Sequence, residues 1–203
     1  MRSGCDRILT SSRCITTCKG TAGRRAVAGT GDPGTAITDR GYTDMQKVNI
    51  NDIEEHSWSS PKGKFGGAAK CLSEALGRKP LSTDLNERHP FDVEITRIPP
   101  GKLPYPYHSH SAQWEFYYVI SGSGTVRHKD GTTPIDAGDA FIFQPDEPHA
   151  FSNDGSEDLL LFVVADNPVG ESAYYPDSKK WLVRSPERKL MRGEALDYYN
   201  GEE

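Results

Sequence analysis

Four side chains carry most of the chemistry that this 203-residue sequence offers: His108, His110, Glu115 and His149. His108 and His110 stand two apart, a spacing that on a strand turns both imidazoles to one face. Glu115 follows five residues later, across a bend expected at residues 111–113, and His149 stands on another strand, within QPDEPHAFSN. Three imidazoles and a carboxylate that converge make a site for one divalent transition metal ion (Mn, Fe, Zn or Ni). One or two coordination positions would remain for water or substrate. Magnesium or calcium would ask for more oxygens. Each residue also has a plain alternative: histidines bonded to carbonyls, a glutamate on a strand surface, a histidine that merely follows a turn. The bulky neighbours Trp114, Phe116, Tyr117 and Tyr118 suggest a strand covered on both faces, where a carboxylate without a cation is costly.

These residues need strands to position them, and from residue 91 onward the pattern is β. FDVEITRI (91–98) alternates Phe91, Val93 and Ile95 against Asp92, Glu94 and Thr96, which predicts a half-buried strand with the apolar set inward. Further strands are expected at 105–110, 114–120, 124–129, 132–136, 140–144, 148–153 and 158–165. Asp130-Gly131, Ala137-Gly138-Asp139 and Asn153-Asp154-Gly155 supply turns between them. The run LLLFVVA (159–165) lacks alternation and reads as a strand buried on both faces. Short strands at such spacing predict an antiparallel sandwich or barrel.

The segment from Gly101 to Gly122 resembles the first motif of the cupin superfamily: glycine, H-x-H, four residues, Glu, six residues, Gly. Six residues separate Gly101 from His108 where the usual pattern has five. Gly138, His149 and Asn153 resemble the second motif, with Asp146 or Glu147 standing where a glycine is usual. The resemblance implies an all-β fold, the cupin double-stranded β-helix or jelly-roll barrel, over 91–166. A short helix would precede it (GAAKCLSEALG, 67–77) and a packed C-terminal tail follow. It is similar to small single-domain cupins of the sugar-phosphate-isomerase type.

Strand parity then nominates pocket residues. Tyr117 shares a face with Glu115, and Phe151 with His149; Phe143 lines the pocket or the opposite layer. Arg97 continues the series Phe91, Val93, Ile95 and would face an anionic substrate or an internal acid, or else sits at the barrel mouth or pairs with an acid such as Glu94 or Asp136. Gln113 is a candidate to hold a bound water, or else a solvent-facing turn residue. Asn153 reads as structural. No lysine or second glutamate stands at a spacing that marks a general base, so the catalytic residue is unassigned.

Composition bounds the rest. The longest apolar run is seven residues against roughly twenty for a membrane-spanning helix. The net charge of −5 argues against a nucleic-acid surface. Residues 1–44 carry a net +3 and the remainder −8. The first segment has no hydrophobic period and reads as a disordered extension, a targeting segment, or upstream translation ahead of Met45. Residues 45–90 form an N-terminal arm. Residues 167–203 form a C-terminal arm, with a helix start at Ser185-Pro186-Glu187 and with aromatics (Tyr174, Tyr175, Trp181, Tyr198, Tyr199) suited to packing on the barrel or a partner subunit. The four cysteines support neither a disulfide framework nor a zinc finger, so a cytoplasmic setting is expected. The partner set is a small molecule and a second copy of the chain, with no nucleic acid and no membrane. Three functions fit: a metal-dependent enzyme on a small polar metabolite, such as a sugar or sugar-phosphate isomerase; an iron-dependent dioxygenase; or a non-catalytic binding or sensing module.

Overall fold

Among the described residues, alternating side chains make strands the dominant regular structure. A computed structural model describes residues 45–80, 82, 84–184 and 188–202. In chain order the strands are β1 (His56–Ser59), β2 (Gly66–Cys71), β3 (Phe91–Ile98), β4 (Ser109–His110), β5 (Glu115–Ser121), β6 (Ser123–His128) and β7 (Gly131–Asp136). There follow β8 (Ala140–Phe143), β9 (Ala150–Ser152), β10 (Leu159–Asp166), β11 (Ser172–Tyr175), β12 (Lys180–Val183) and β13 (Lys189–Met191). Two single helical turns, α1 (Leu72–Ala75) and α2 (Leu85–Arg88), lie between β2 and β3. The expected extension over 1–44 and the helix start at 185–187 lie outside the described residues. The segment just after that start, Lys189–Met191, is strand β13. Among the described residues no helix is long and apolar enough to cross a membrane.

The strands form antiparallel sheets: six strands in the order β1-β2-β3-β10-β5-β8, three as β7-β6-β9, and four as β13-β12-β11-β4. Both flanking arms therefore contribute strands to sheets that the barrel shares. The core packs Ile98, Val119, Leu159, Leu161 and Val163 of the large sheet against Val126, Ile135 and Phe151 of the three-stranded one. Two short reaches close the barrel. Asn153 is fully buried, its Nδ2 donating to the carbonyls of Ile98 (2.6 Å) and Glu157 (2.8 Å). Gly122 has φ +82°, and a Cβ there would fall 2.5 Å from the Asp158 carbonyl oxygen, so only glycine fits.

Three expectations are corrected. First, β3 is turned over: Asp92, Glu94, Thr96 and Ile98 are buried, whereas Phe91 is exposed and Val93, Ile95 and Arg97 are half-buried. The inner face of β3 lines the polar end of the barrel, and its outer face joins an apolar sheet surface. The rule that the apolar set faces inward therefore fails here. Second, Phe116, Tyr118 and Trp114 are exposed, so β5 is not covered on both faces; β10 likewise buries only Leu159, Leu161, Val163 and Ala165. Third, residues 67–71 are strand, leaving a helix of one turn. Small residues suit β2 because Trp58 of β1 lies against it: a Cβ at Gly67 would come within 2.9 Å of the indole.

Candidate metal centre

β4 and the bridge between His108 and His149 bring the three histidines to one end of the barrel. Backbone hydrogen bonds lock that bridge in both directions, at 3.1 and 2.8 Å. Ring centroids of His108 lie 4.9 Å from those of both His110 and His149. Glu115, the first residue of β5, points at them. Ligating atoms of His108, His110 and Glu115 all fall within 4.8 Å of one another. Glu115 Oε2 is 3.6 Å from His110 Nε2 and 2.9 Å from His149 Nε2. Donors bound to one ion by bonds of about 2.1 Å stand about 3.0–3.4 Å apart, so the separations bracket what one cation requires.

Hydrogen bonds behind the rings fix their tautomers. His108 Nδ1 donates to the Pro106 carbonyl (2.8 Å) and His149 Nδ1 to the Glu147 carbonyl (3.1 Å). A carbonyl only accepts, so both rings carry a proton on Nδ1, and a neutral ring then has its lone pair on Nε2. His110 Nδ1 lies 3.1 Å from Glu171 Oε1, which imposes the same tautomer. The Nε2 atoms of His108 and His110 thus share one cluster with the Glu115 carboxylate, and His149 Nε2 joins it at 2.9 Å from Glu115 Oε2. The Nε2 atoms of His108 and His110 are buried with no hydrogen-bond partner. A cation in that cluster would satisfy these two orphaned Nε2 atoms, so the residues present fit a bound transition metal. Burial, reinforced by His149 and His110, holds the His108 imidazole well below its ordinary range, which keeps it a neutral ligand.

Aromatic packing sets the ligand orientations. Phe143 stacks on His149 at 4.1 Å between centroids, and Tyr175 on His108 at 5.8 Å. The Tyr117 hydroxyl donates to Glu115 Oε2 (2.9 Å). Phe151 packs on Tyr117 at 4.6 Å. Beside the ligands lies a cavity of about 20 Å³ lined in part by Glu94, Thr96, His108, Glu115, Tyr117 and Phe151. That volume holds about one water.

The turn before His149 answers the missing glycine. Asp146 adopts φ +66°, a left-handed conformation that Asp tolerates better than most residues. Its N–H donates to the His110 carbonyl (2.7 Å), a backbone bond open to glycine too, so the departure from glycine leaves the turn and its tie to β4 intact.

Of the nominated pocket residues, Tyr117, Phe143 and Phe151 sit around the ligands. Arg97 does not: it is 34% exposed on the outer face, bound to Glu55 (2.6 Å) and Asp158 (3.2 Å). The turned-over register of β3 carries it away from the cavity. Gln113 is buried, not solvent-facing, and its Nε2 donates to the Asp166 carbonyl (2.6 Å). Two residues escaped sequence reasoning. Glu94, 3% exposed, is a second carboxylate on the cavity wall, with Thr96 Oγ1 donating to its Oε1 at 2.8 Å. Its signal was present in the polar half of the β3 alternation. Glu171, behind His110, belongs to no spacing pattern and left none.

Comparison with known proteins agrees with this geometry. Residues 94–165 match the family model described as the cupin domain. The oxalate-binding protein of Thermotoga maritima is 32% identical over 68 residues, 34% of this chain and 55% of that protein, so the chain spans about half of this relative's length. The structure of a "putative sugar phosphate isomerase" from Acidithiobacillus ferrooxidans superposes with TM-score 0.62 at 27% identity, covering 73% of this chain and 92% of that one. A cupin-superfamily sugar phosphate isomerase from Silicibacter pomeroyi gives 0.61 at 24% identity, covering 75% and 97%, and shares the fold. With its barrel strands, its motif residues and this match in agreement, the segment 94–165 is a cupin domain.

Proposed function

We propose that the chain is a metal-dependent cupin acting on a small polyoxygenated metabolite, with isomerase-type proton transfer as its chemistry. His108, His110, Glu115 and His149 would hold one divalent transition metal ion. The observation that carries this reading is the clustering of imidazole Nε2 atoms with the Glu115 carboxylate, the ring protons being fixed from behind. When bound, such an ion would supply Lewis-acid polarisation of a substrate carbonyl, which acidifies the neighbouring C–H. The chain's own residues do the rest. Tyr117 holds Glu115 by its hydroxyl, and Phe143 keeps the His149 ring in plane. Glu94 supplies a carboxylate on the cavity wall to take the proton from one carbon and return it to the next. The cavity of about 20 Å³ has room for about one substrate oxygen, so the rest of a sugar would lie outside it. The Acidithiobacillus ferrooxidans relative supports this substrate class.

The chain is also proposed to be a homodimer. On the outer face of the large sheet, Ile142, Phe116, Val164 and Val93 form one cross-strand row, and Tyr118, Phe162 and Ile95 a second. With exposed Phe91, Trp114 and Ile120 this is an apolar surface of the kind that monomers rarely display.

The test is deuterium exchange. Manganese-loaded protein is incubated in D₂O with a panel of aldose and ketose phosphates, and NMR follows the proton beside the carbonyl. Exchange that Glu94→Gln abolishes, at unchanged metal content, supports the reading. Full metal occupancy with no exchange on any panel member refutes it in favour of a binding module. Oxygen uptake by the iron-loaded form refutes it in favour of a dioxygenase.

A further inference from the structure

The C-terminal arm lies outside the matched cupin segment, yet it reaches the centre of the barrel. β11 pairs with β4, opposing Ala173 to His110. Just before β11, Glu171 is 1% exposed, and its carboxylate accepts from three groups: His110 Nδ1 at 3.1 Å, Ser111 N–H at 3.0 Å and Ala112 N–H at 3.0 Å. The return contact is also made, with Ser172 N–H donating to Ser111 Oγ at 3.0 Å. Each of these bonds ends on the segment that carries His110.

From this geometry we infer that Glu171 is a positioning residue for the metal centre, by which the C-terminal arm sets the affinity of the barrel for its ion. The inference rests on the metal reading proposed above. A carboxylate behind an imidazole fixes the Nδ1–H tautomer, aims Nε2 and raises the basicity of the ring. Here it does a second thing: Oε1 takes both the ring and the Ser111 amide, so ring and backbone are held as one body. A neutral amide at this position cannot do the same. With an oxygen toward His110 and Ser111, its NH₂ group meets the Ala112 N–H donor to donor. In the opposite orientation it confronts the His110 Nδ1–H.

The test compares Glu171→Gln with Leu182→Ala in the full chain. Leu182 is a buried core residue of the same arm, so its truncation loosens arm packing and leaves the carboxylate in place. Zinc affinity is measured by chelator competition on stripped protein. The expected result is a 10- to 100-fold weaker dissociation constant for Glu171→Gln, the range for losing such a partner, and a change below about threefold for Leu182→Ala. A constant within twofold of wild type in Glu171→Gln, or an equal loss in both variants, overturns the proposal. A second readout needs no metal: nitrogen-15 NMR of the stripped protein is expected to show a slowly exchanging His110 Nδ1–H, which Glu171→Gln removes. Its absence in the wild type also overturns the proposal. Failure of the wild type to bind zinc, with that proton present and lost in the variant, sinks the metal reading and leaves the hydrogen-bonded latch standing.

Discussion

Adding a divalent transition ion to stripped protein should raise its melting temperature, by an amount the structure lets us bound. Two buried ring nitrogens, His108 Nε2 and His110 Nε2, have no hydrogen-bond partner, and each such group costs about 1–3 kcal/mol. Ligation removes both penalties. The stabilisation read in a melt is set by mass action: at free metal one hundred times the dissociation constant it is about 2.7 kcal/mol. A chain of this size moves about 2–4 °C per kcal/mol, so the shift should be about 5–11 °C. The assay is calorimetry on chelator-stripped protein against increasing Mn(II), Co(II) or Zn(II). His110→Ala removes one ligand and should reduce the shift to about 1 °C or less at the same metal concentration, on the same conversion. A stripped wild type whose melting point stays fixed with all three ions refutes the tautomer argument. So does a His110→Ala protein that keeps the full shift.

Other outcomes can be checked with the same material. Because burial lowers the His108 pKa, the unfolded chain binds the proton first as pH falls below about 6.5. Metal-free protein should therefore lose stability toward acid, by up to about 1.4 kcal/mol per pH unit from this group. Glu74, pushed up to about 7 by burial, acts with opposite sign over pH 4.5–7. The His108 contribution is thus the difference between wild-type and His108→Ala urea midpoints, and a pH-independent difference contradicts it. Asp146→Val should cost about 1–3 kcal/mol by forcing a β-branched residue to positive φ, while Asp146→Gly should leave the melting temperature nearly unchanged; equal costs would deny the turn's role. Phe116→Glu should convert a dimer to a monomer by light scattering at micromolar concentration, and an unchanged mass would move the interface elsewhere.

The candidate metal ligands were legible because a strand's period of two is rigid: His108 and His110 must share a face once the segment is extended, and Tyr117 must follow Glu115. The same rule misled at β3, where both sets of residues alternate perfectly. Hydrophobicity alone selects the wrong face when a barrel keeps carboxylates inside and Phe91, Val93 and Ile95 on an outer sheet surface. Residues 66–71 hid as a strand because glycine and alanine give no β signal; Trp58, packed on them, is what demands small side chains. Glu171 could not be found at all, since a single acid 61 residues from His110 in sequence announces itself only by contact.

The bonds from Ser111 and Ala112 to Glu171 have a bearing on biosynthesis. Glu171 follows all the candidate ligands in the chain, so a barrel whose C-terminal arm had not yet docked would hold His110 without the clasp behind it. Ions captured at that stage would exchange readily, and lasting selection among metals would be deferred until the final strands dock on the finished polypeptide.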